Sequence, residues 1–258
     1  MRTVLAAIHC AKGDIATNLA AHLEIATTAA DGDLVLFPEM SLTGSANPAT
    51  DPDRLIRLDH PAVQELASAT GTTGVGICFG IAERGLDGEP YITQVFAAGG
   101  QIAGIQRKRH LPYDEKAFTA AAESAVFEHA GVRFGIAICA EAGYDAPFDA
   151  AARAGAPLVL FPAAPGLYGR RTSEASWRSG FAWWEQASLG DASRHAKRLG
   201  LWIAQAGQAG STVDEDFPGL AALTGPDGNV VARLPDWRAG ILTVAIPGQH
   251  RPIGGADD

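Results

Sequence analysis

The sequence predicts an α/β protein, a four-layer αββα sandwich of two mixed β-sheets with internal pseudo-duplication. Three observations predict it. The order β-α-β-α-β followed by a hairpin occurs twice along the 258 residues. The pentapeptide "LVLFP" stands at 34–38 and again, residue for residue, at 158–162, each time after an Ala-rich helix end. Strands of this kind are apolar on both faces, so each sheet needs cover on both sides, and two stacked sheets with helices outside supply it.

The elements follow in order. "TVLAAIH" (3–9) is a short apolar strand. Asp14 can cap a helix on which Ile15, Leu19 and Leu23 share a face, and "ADG" at 30–32 ends it. "LVLF" (34–37) is a buried strand. Pro61 suits a first helical turn, and "PAVQELASATG" closes on its Gly. "VGICFGIAE" (75–83) is the third strand, and "YITQVFA" and "QIAGIQ" flank the hairpin signal Gly99-Gly100. The second round begins with the strand "RFGIAI" and the helix "DAPFDAAARAG", which ends at Gly155. "LVLFP" (158–162) follows, then a long helix over roughly 176–199 with Gly200 as its stop, and the strand "LWIAQAG". "LAALTGPDGNVVARL" is a hairpin turning at Pro226-Asp227-Gly228, and "ILTVAI" is a last strand. A single domain is expected over 1–248, with a loose C-terminal tail at 249–258.

Composition excludes several classes of function. A formal net charge of −9 argues against nucleic acid or an anionic membrane as partner, because both require a basic surface. No apolar run approaches the ~18 residues of a membrane-spanning helix. Three widely spaced cysteines make no disulfide framework, so a reducing cytoplasm is the expected location. The seven histidines show no metal-ligand spacing, and no metal or other cofactor is expected.

In open α/β sheets, ligands collect at the carboxyl ends of the strands. Four reactive side chains fall there or just beyond: Glu39 after "LVLFP", Lys108 after "IAGIQR", Glu115 in the following loop, and Cys139 at the end of "FGIAI". The repeat sharpens the reading of Glu39, because the second copy carries Ala163 at that place. A thiol becomes a strong nucleophile once a base removes its proton, and a glutamate in a suitable environment is such a base. A lysine can hold the oxyanion formed when a thiolate attacks a C=O or C≡N carbon.

These segments resemble the three signatures of the nitrilase superfamily, the carbon–nitrogen hydrolases. "LVLFPEMSLTG" is similar to the first, "IQRKRHLPYDEKAF" to the second and "GIAICAE" to the third. "FPAAP" (161–165), the long helix and "FPGLAALTGPDGNVVA" also fall where that family has counterparts. The resemblance implies the αββα fold, a triad of Glu39, Lys108 and Cys139 with Glu115 as a second acid, and a homodimer or higher homo-oligomer. It implies a cofactor-free hydrolase of a small non-peptide amide, acting through a Cys thioester. Ser45 after "LTG", "AEAGYDAPF" after the cysteine and "LGDASRHAKRLGLW" on the long helix depart from common family forms. Such positions shape the pocket, so an N-carbamoyl-amine hydrolase, a nitrilase, an acyl transferase and a non-catalytic scaffold on the same fold stay open. Candidate substrate-binding residues are Ala140 through its backbone N–H, Glu141, and the Arg170-Arg171 pair, which suggests a substrate carboxylate.

Each residue also has a plainer reading. Cys78 is mid-strand and Cys10 closes strand one, so both read as core. Lys108 could belong to a solvated "RKRH" cluster, Glu39 could cap a loop, and Asp114 could point inward in place of Glu115. Glu141 could serve structural hydrogen bonding, and Trp177, Phe181, Trp183 and Trp184 read as core packing or as a partner surface.

Overall fold

The computed structural model describes residues 1–167, 169–235 and 239–247. Fourteen strands and four α-helices are assigned among them. The first half holds β1 (Arg2–Ala7), α1 (Ile15–Ala26), β2 (Leu34–Leu36), α2 (Pro61–Thr73), β3 (Gly76–Arg84), β4 (Pro90–Ala98) and β5 (Gln101–Arg107). The second holds β6 (Val126–His129), β7 (Val132–Ile136), α3 (Asp145–Arg153), β8 (Leu158–Ala163), α4 (Glu174–Leu199) and β9 (Trp202–Gly207). It continues with β10 (Ala209–Ser211), β11 (Asp216–Pro218), β12 (Ala221–Thr224), β13 (Val230–Arg233) and β14 (Gly240–Ala245).

Strands β10 and β11 form a separate two-stranded sheet. The other twelve form two six-stranded sheets, ordered β14-β1-β2-β3-β4-β5 and β6-β7-β8-β9-β12-β13. In each, three central strands are parallel and the outer pairings are antiparallel. The two sheets therefore repeat one another strand for strand. The flanking strand comes from the chain end in the first sheet and immediately precedes the parallel trio in the second.

The doubled pentapeptide explains the layering. Leu34 and Leu36, like Leu158 and Leu160, enter one core between the sheets, together with Leu5, Phe96, Phe134 and Ile136. Val35 and Phe37 face the other way, into a core with Val63 and Leu66 of α2 and Ile25 of α1. Val159 and Phe161 do the same against Phe148 of α3 and Phe181 and Trp184 of α4. Alternate side chains point to opposite faces of a strand, so an apolar run serves two cores at once.

Several sequence-based boundaries shift. Helix α2 runs through Gly71 and stops at Gly74, whose φ of 65° is the left-handed cap. Helix α1 ends at Ala26, earlier than "ADG", and β1 ends at Ala7, earlier than His9. Strand β6 and the β10–β11 hairpin had no recognised sequence signal. The tail placed at 249–258 lies outside the described residues.

Candidate active site

Glu39, Lys108 and Cys139 follow β2, β5 and β7, and each placement has a local cause. After β2 the chain turns sharply, with Met40 at φ 48°. This loop is stitched to β3 through Leu42 N–H to Gly80 O (2.9 Å), Gly80 N–H to Ser41 Oγ (3.1 Å) and Ala82 N–H to Thr43 Oγ1 (3.0 Å). Gly80 is required for that approach, because a Cβ there would collide with Met40 N and Glu39 C. Helix α1 holds the loop from the other side. Buried Asn18 donates to the carbonyls of Ala11 (2.8 Å) and Leu42 (3.0 Å). His22, pushed down to about 4 by burial, is a neutral ring at pH 7. Its Nδ1–H donates to Asn18 O (2.7 Å), so its Nε2 accepts from Ser41 Oγ (2.9 Å). Sequence reasoning missed Asn18 and His22; polar residues on an otherwise apolar helix face were the available signal.

Lys108 is fully buried and Glu39 is 1% exposed. Lys108 Nζ donates to Glu39 Oε1 and to Glu115 Oε1, each at 2.7 Å. Glu39 Oε2 accepts from the backbone N–H of Ala164 at 3.1 Å. Burial acts against the Lys108 charge, but Glu39, Cys139 and Glu115 outweigh it and hold its pKa above the ordinary lysine value. Burial, seconded by the Glu39 carboxylate, pushes Glu115 up to about 8 against the pull of Lys108. The inward acid of the pair is thus Glu115, and Asp114 is exposed.

Cys139 opens a short 3₁₀ turn, Cys139–Gly143, and has φ 48°. A non-glycine residue in the left-handed region stores strain that the surrounding packing must hold. The side chain touches both the inter-sheet core and the core under α3 and α4. Burial, then the Glu39 carboxylate, raises its thiol pKa well above the ordinary value, and Lys108 and the Ala164 N–H oppose the rise. The resting group is therefore a thiol. Cys10 and Cys78 are fully buried and Cys139 is partly exposed.

A cavity of about 230 Å³ opens on Cys139, with Ala140, Glu115, Ala164, Trp183 and Trp184 among its walls. A second, of about 490 Å³, shares Asp114, Glu115, Ala164, Gly166 and Glu215 with it and carries Met40 and Lys12. Ala140 thus sits where the sequence places it, beside the thiol. Glu141 is fully committed as a brace. Its Oε1 accepts from Arg109 N–H and its Oε2 from Ile138 N–H, both at 2.8 Å, tying the Lys108 segment to the Cys139 segment. Arg170 and Arg171 border neither cavity. Arg170 Nε lies 3.2 Å from Asp216 Oδ1, and its Nη1 donates to Thr212 O at 2.8 Å. The Arg171 guanidinium donates to the carbonyls of Leu167 and Ser176. Each guanidinium has internal acceptors, and the expected carboxylate receptor is not built from this pair at either cavity. Ala164, for which sequence reasoning assigned no role, supplies the N–H that meets Glu39. Its signal lay in "FPAAP", two residues past the repeat.

Two mixed sheets stacked face to face between helices, with this glutamate–lysine–cysteine cluster at the strand ends, define the nitrilase-superfamily sandwich. The chain belongs to the carbon–nitrogen hydrolase family, whose sequence profile matches residues 4–252. It is 34% identical over 160 residues to a Pseudomonas protegens protein described as a hydrolase in the pqqF 5′ region, covering 58% of this chain and 55% of that protein. It is 33% identical over 150 residues to an (R)-stereoselective amidase from a Pseudomonas species, covering 57% and 54%. The matches thus span about half the length of these curated relatives. The fold is similar to that of an amidase from Nesterenkonia, with a TM-score of 0.78 at 23% identity over 96% of this chain and 90% of that one. No helix among the described residues is long and apolar enough to cross a membrane.

Proposed function

We propose that the protein hydrolyses the non-peptide C–N bond of a small amide through a thioester on Cys139. The observation that carries this reading is the fully buried Lys108 ammonium, held 2.7 Å from both Glu39 and Glu115 beside a strained, partly exposed thiol. A buried charge of this kind is costly unless it is paired, and here its partners converge on a nucleophile at a cavity. The relative described as an (R)-stereoselective amidase favours an amide over a nitrile or an N-carbamoyl amine as substrate.

In this scheme Glu39 removes the Cys139 proton as sulfur attacks the amide carbon. Lys108 and the backbone N–H of Ala140 take up the oxyanion. Glu39 returns the proton to the nitrogen, the C–N bond breaks, and ammonia or an amine departs, leaving the thioester. Glu39 then removes a proton from water, which cleaves the thioester and regenerates the thiol. Glu115 keeps Lys108 in place and contacts the leaving nitrogen.

The test is single-turnover kinetics with intact-mass spectrometry. A burst of ammonia and an acyl adduct confined to Cys139 are expected. Full turnover by Cys139→Ala would overturn the scheme.

A further inference from the structure

We propose that the amide substrate carries a positive charge, an ammonium group set a short way from the scissile carbonyl and received by Glu215, Asp114 and the indoles of Trp183 and Trp184. This deepens the hydrolase reading above and rests on it.

The charge of the walls is one-sided. Apart from Cys139, the ionisable side chains around the smaller cavity are Asp114, Glu115 and Glu215, all acids. The two cations of the adjoining cavity already have partners. Lys12 Nζ lies 2.9 Å from Asp214 and 3.3 Å from Glu215, one ammonium against two carboxylates, and Arg54 lies 3.4 Å from Asp51. Lys108 is likewise held between Glu39 and Glu115. Glu115 keeps its proton below about pH 8, but Asp51, Asp114, Asp214 and Glu215 still outnumber Lys12 and Arg54. The surplus is therefore negative, and the cavity attracts a cation and repels a carboxylate.

Two further observations are independent of that count. Trp183 and Trp184 line the same cavity, with ring centroids 6.0 Å apart at 44°. Indole faces beside carboxylates are the surface that organic cations prefer. Trp184 is 7% exposed, and its buried Nε1–H has no acceptor among the described residues. Glu215 is also held in place. It precedes β11 at the end of the β10–β11 hairpin loop, its Oε2 accepts from Lys12 at 3.3 Å, and its Oε1 rests on Gly166, where any Cβ would collide with it. Gly166 is two residues from Ala164, whose N–H meets Glu39, so the carboxylate and the reacting centre share one short loop.

The test compares three amides of similar size: 3-aminopropanamide, butanamide and succinamate. In the wild-type enzyme kcat/KM should run cation over neutral over anion, with the first step at least about tenfold. Glu215→Gln should shrink that step at least about threefold, through KM more than kcat. Equal values, or a preference for succinamate, overturn the proposal. Calorimetric titration of the Cys139→Ala protein with the same three amides reads the preference without chemistry, and the same order is expected. Turnover of all three with no preference would sink the cation site and leave the hydrolase reading standing. Cation-selective binding without turnover by the wild type would do the reverse.

Discussion

The two copies of "LVLFP" are identical in sequence and equivalent in their sheets, yet they end differently. Both place two leucines between the sheets and Val and Phe under the helices. The next residue is Glu39 in one and Ala163 in the other. The difference is complementary. The first strand end supplies a carboxylate, and the second, one residue further on, supplies the Ala164 N–H that binds it at 3.1 Å. Packing keeps the strands alike because each must fill two cores. Only the positions just past them, free of that demand, were available for chemistry.

The strongest way to break the comparison is to make the first strand end like the second. Glu39→Ala should lower kcat by about 10³-fold, the scale of a lost general base, while circular dichroism reports an intact fold. Near-full activity would show that the carboxylate is an incidental neighbour of Lys108. Packing equivalence makes a different demand. Leu36→Ala and Leu160→Ala should each cost roughly 2–5 kcal/mol in urea unfolding and should agree within about 1 kcal/mol, since both open a cavity in the same inter-sheet core. A gap of several kcal/mol would mean that the repeats do not share the load.

Gly80→Ala addresses the loop that only the first copy carries. The added Cβ must displace the backbone of Glu39 and Met40, so a stability loss of about 1–3 kcal/mol and a fall in kcat are expected together. Loss of stability with unchanged kcat would separate the loop from the chemistry. The smallest effect is a pH dependence. Glu115, pushed up to about 8, keeps its proton below that pH, and its ionisation adds a negative charge that opposes the Cys139 thiolate. Turnover should therefore decline as pH rises through about 8, and Glu115→Gln, which cannot ionise, should abolish that limb. A limb that persists at the same pH in the variant would assign it to another group.

Much of the fold was legible because its signals are local and repeated. Asp14, Pro61, Gly155 and Gly200 bound helices near where their chemistry predicts, and the doubled apolar run foretold two equivalent sheets. The β10–β11 hairpin was not legible. Its strands are three residues each, and "AGS" and "DFP" show too little alternation to register. Glu39, Lys108 and Cys139 were legible by motif, whereas the assignment of Glu141, Arg170 and Arg171 to substrate depended on where their hydrogen bonds went. Glu141 faces the N–H groups of Arg109 and Ile138, one of them 32 positions away. Such partners meet only when separate segments close on each other, and no local pattern announces them.

The sequence by itself determined the αββα architecture and the three reactive residue types at strand ends, since strand burial and helix caps act over a few neighbouring residues. The tertiary structure alone decided which carboxylates meet Lys108, that Ala164 binds Glu39, that the paired arginines are already engaged and that acids and indoles wall the cavity. Those outcomes depend on distances of about 3 Å between segments tens to more than a hundred residues apart, where electrostatics and hydrogen bonding are decided by geometry.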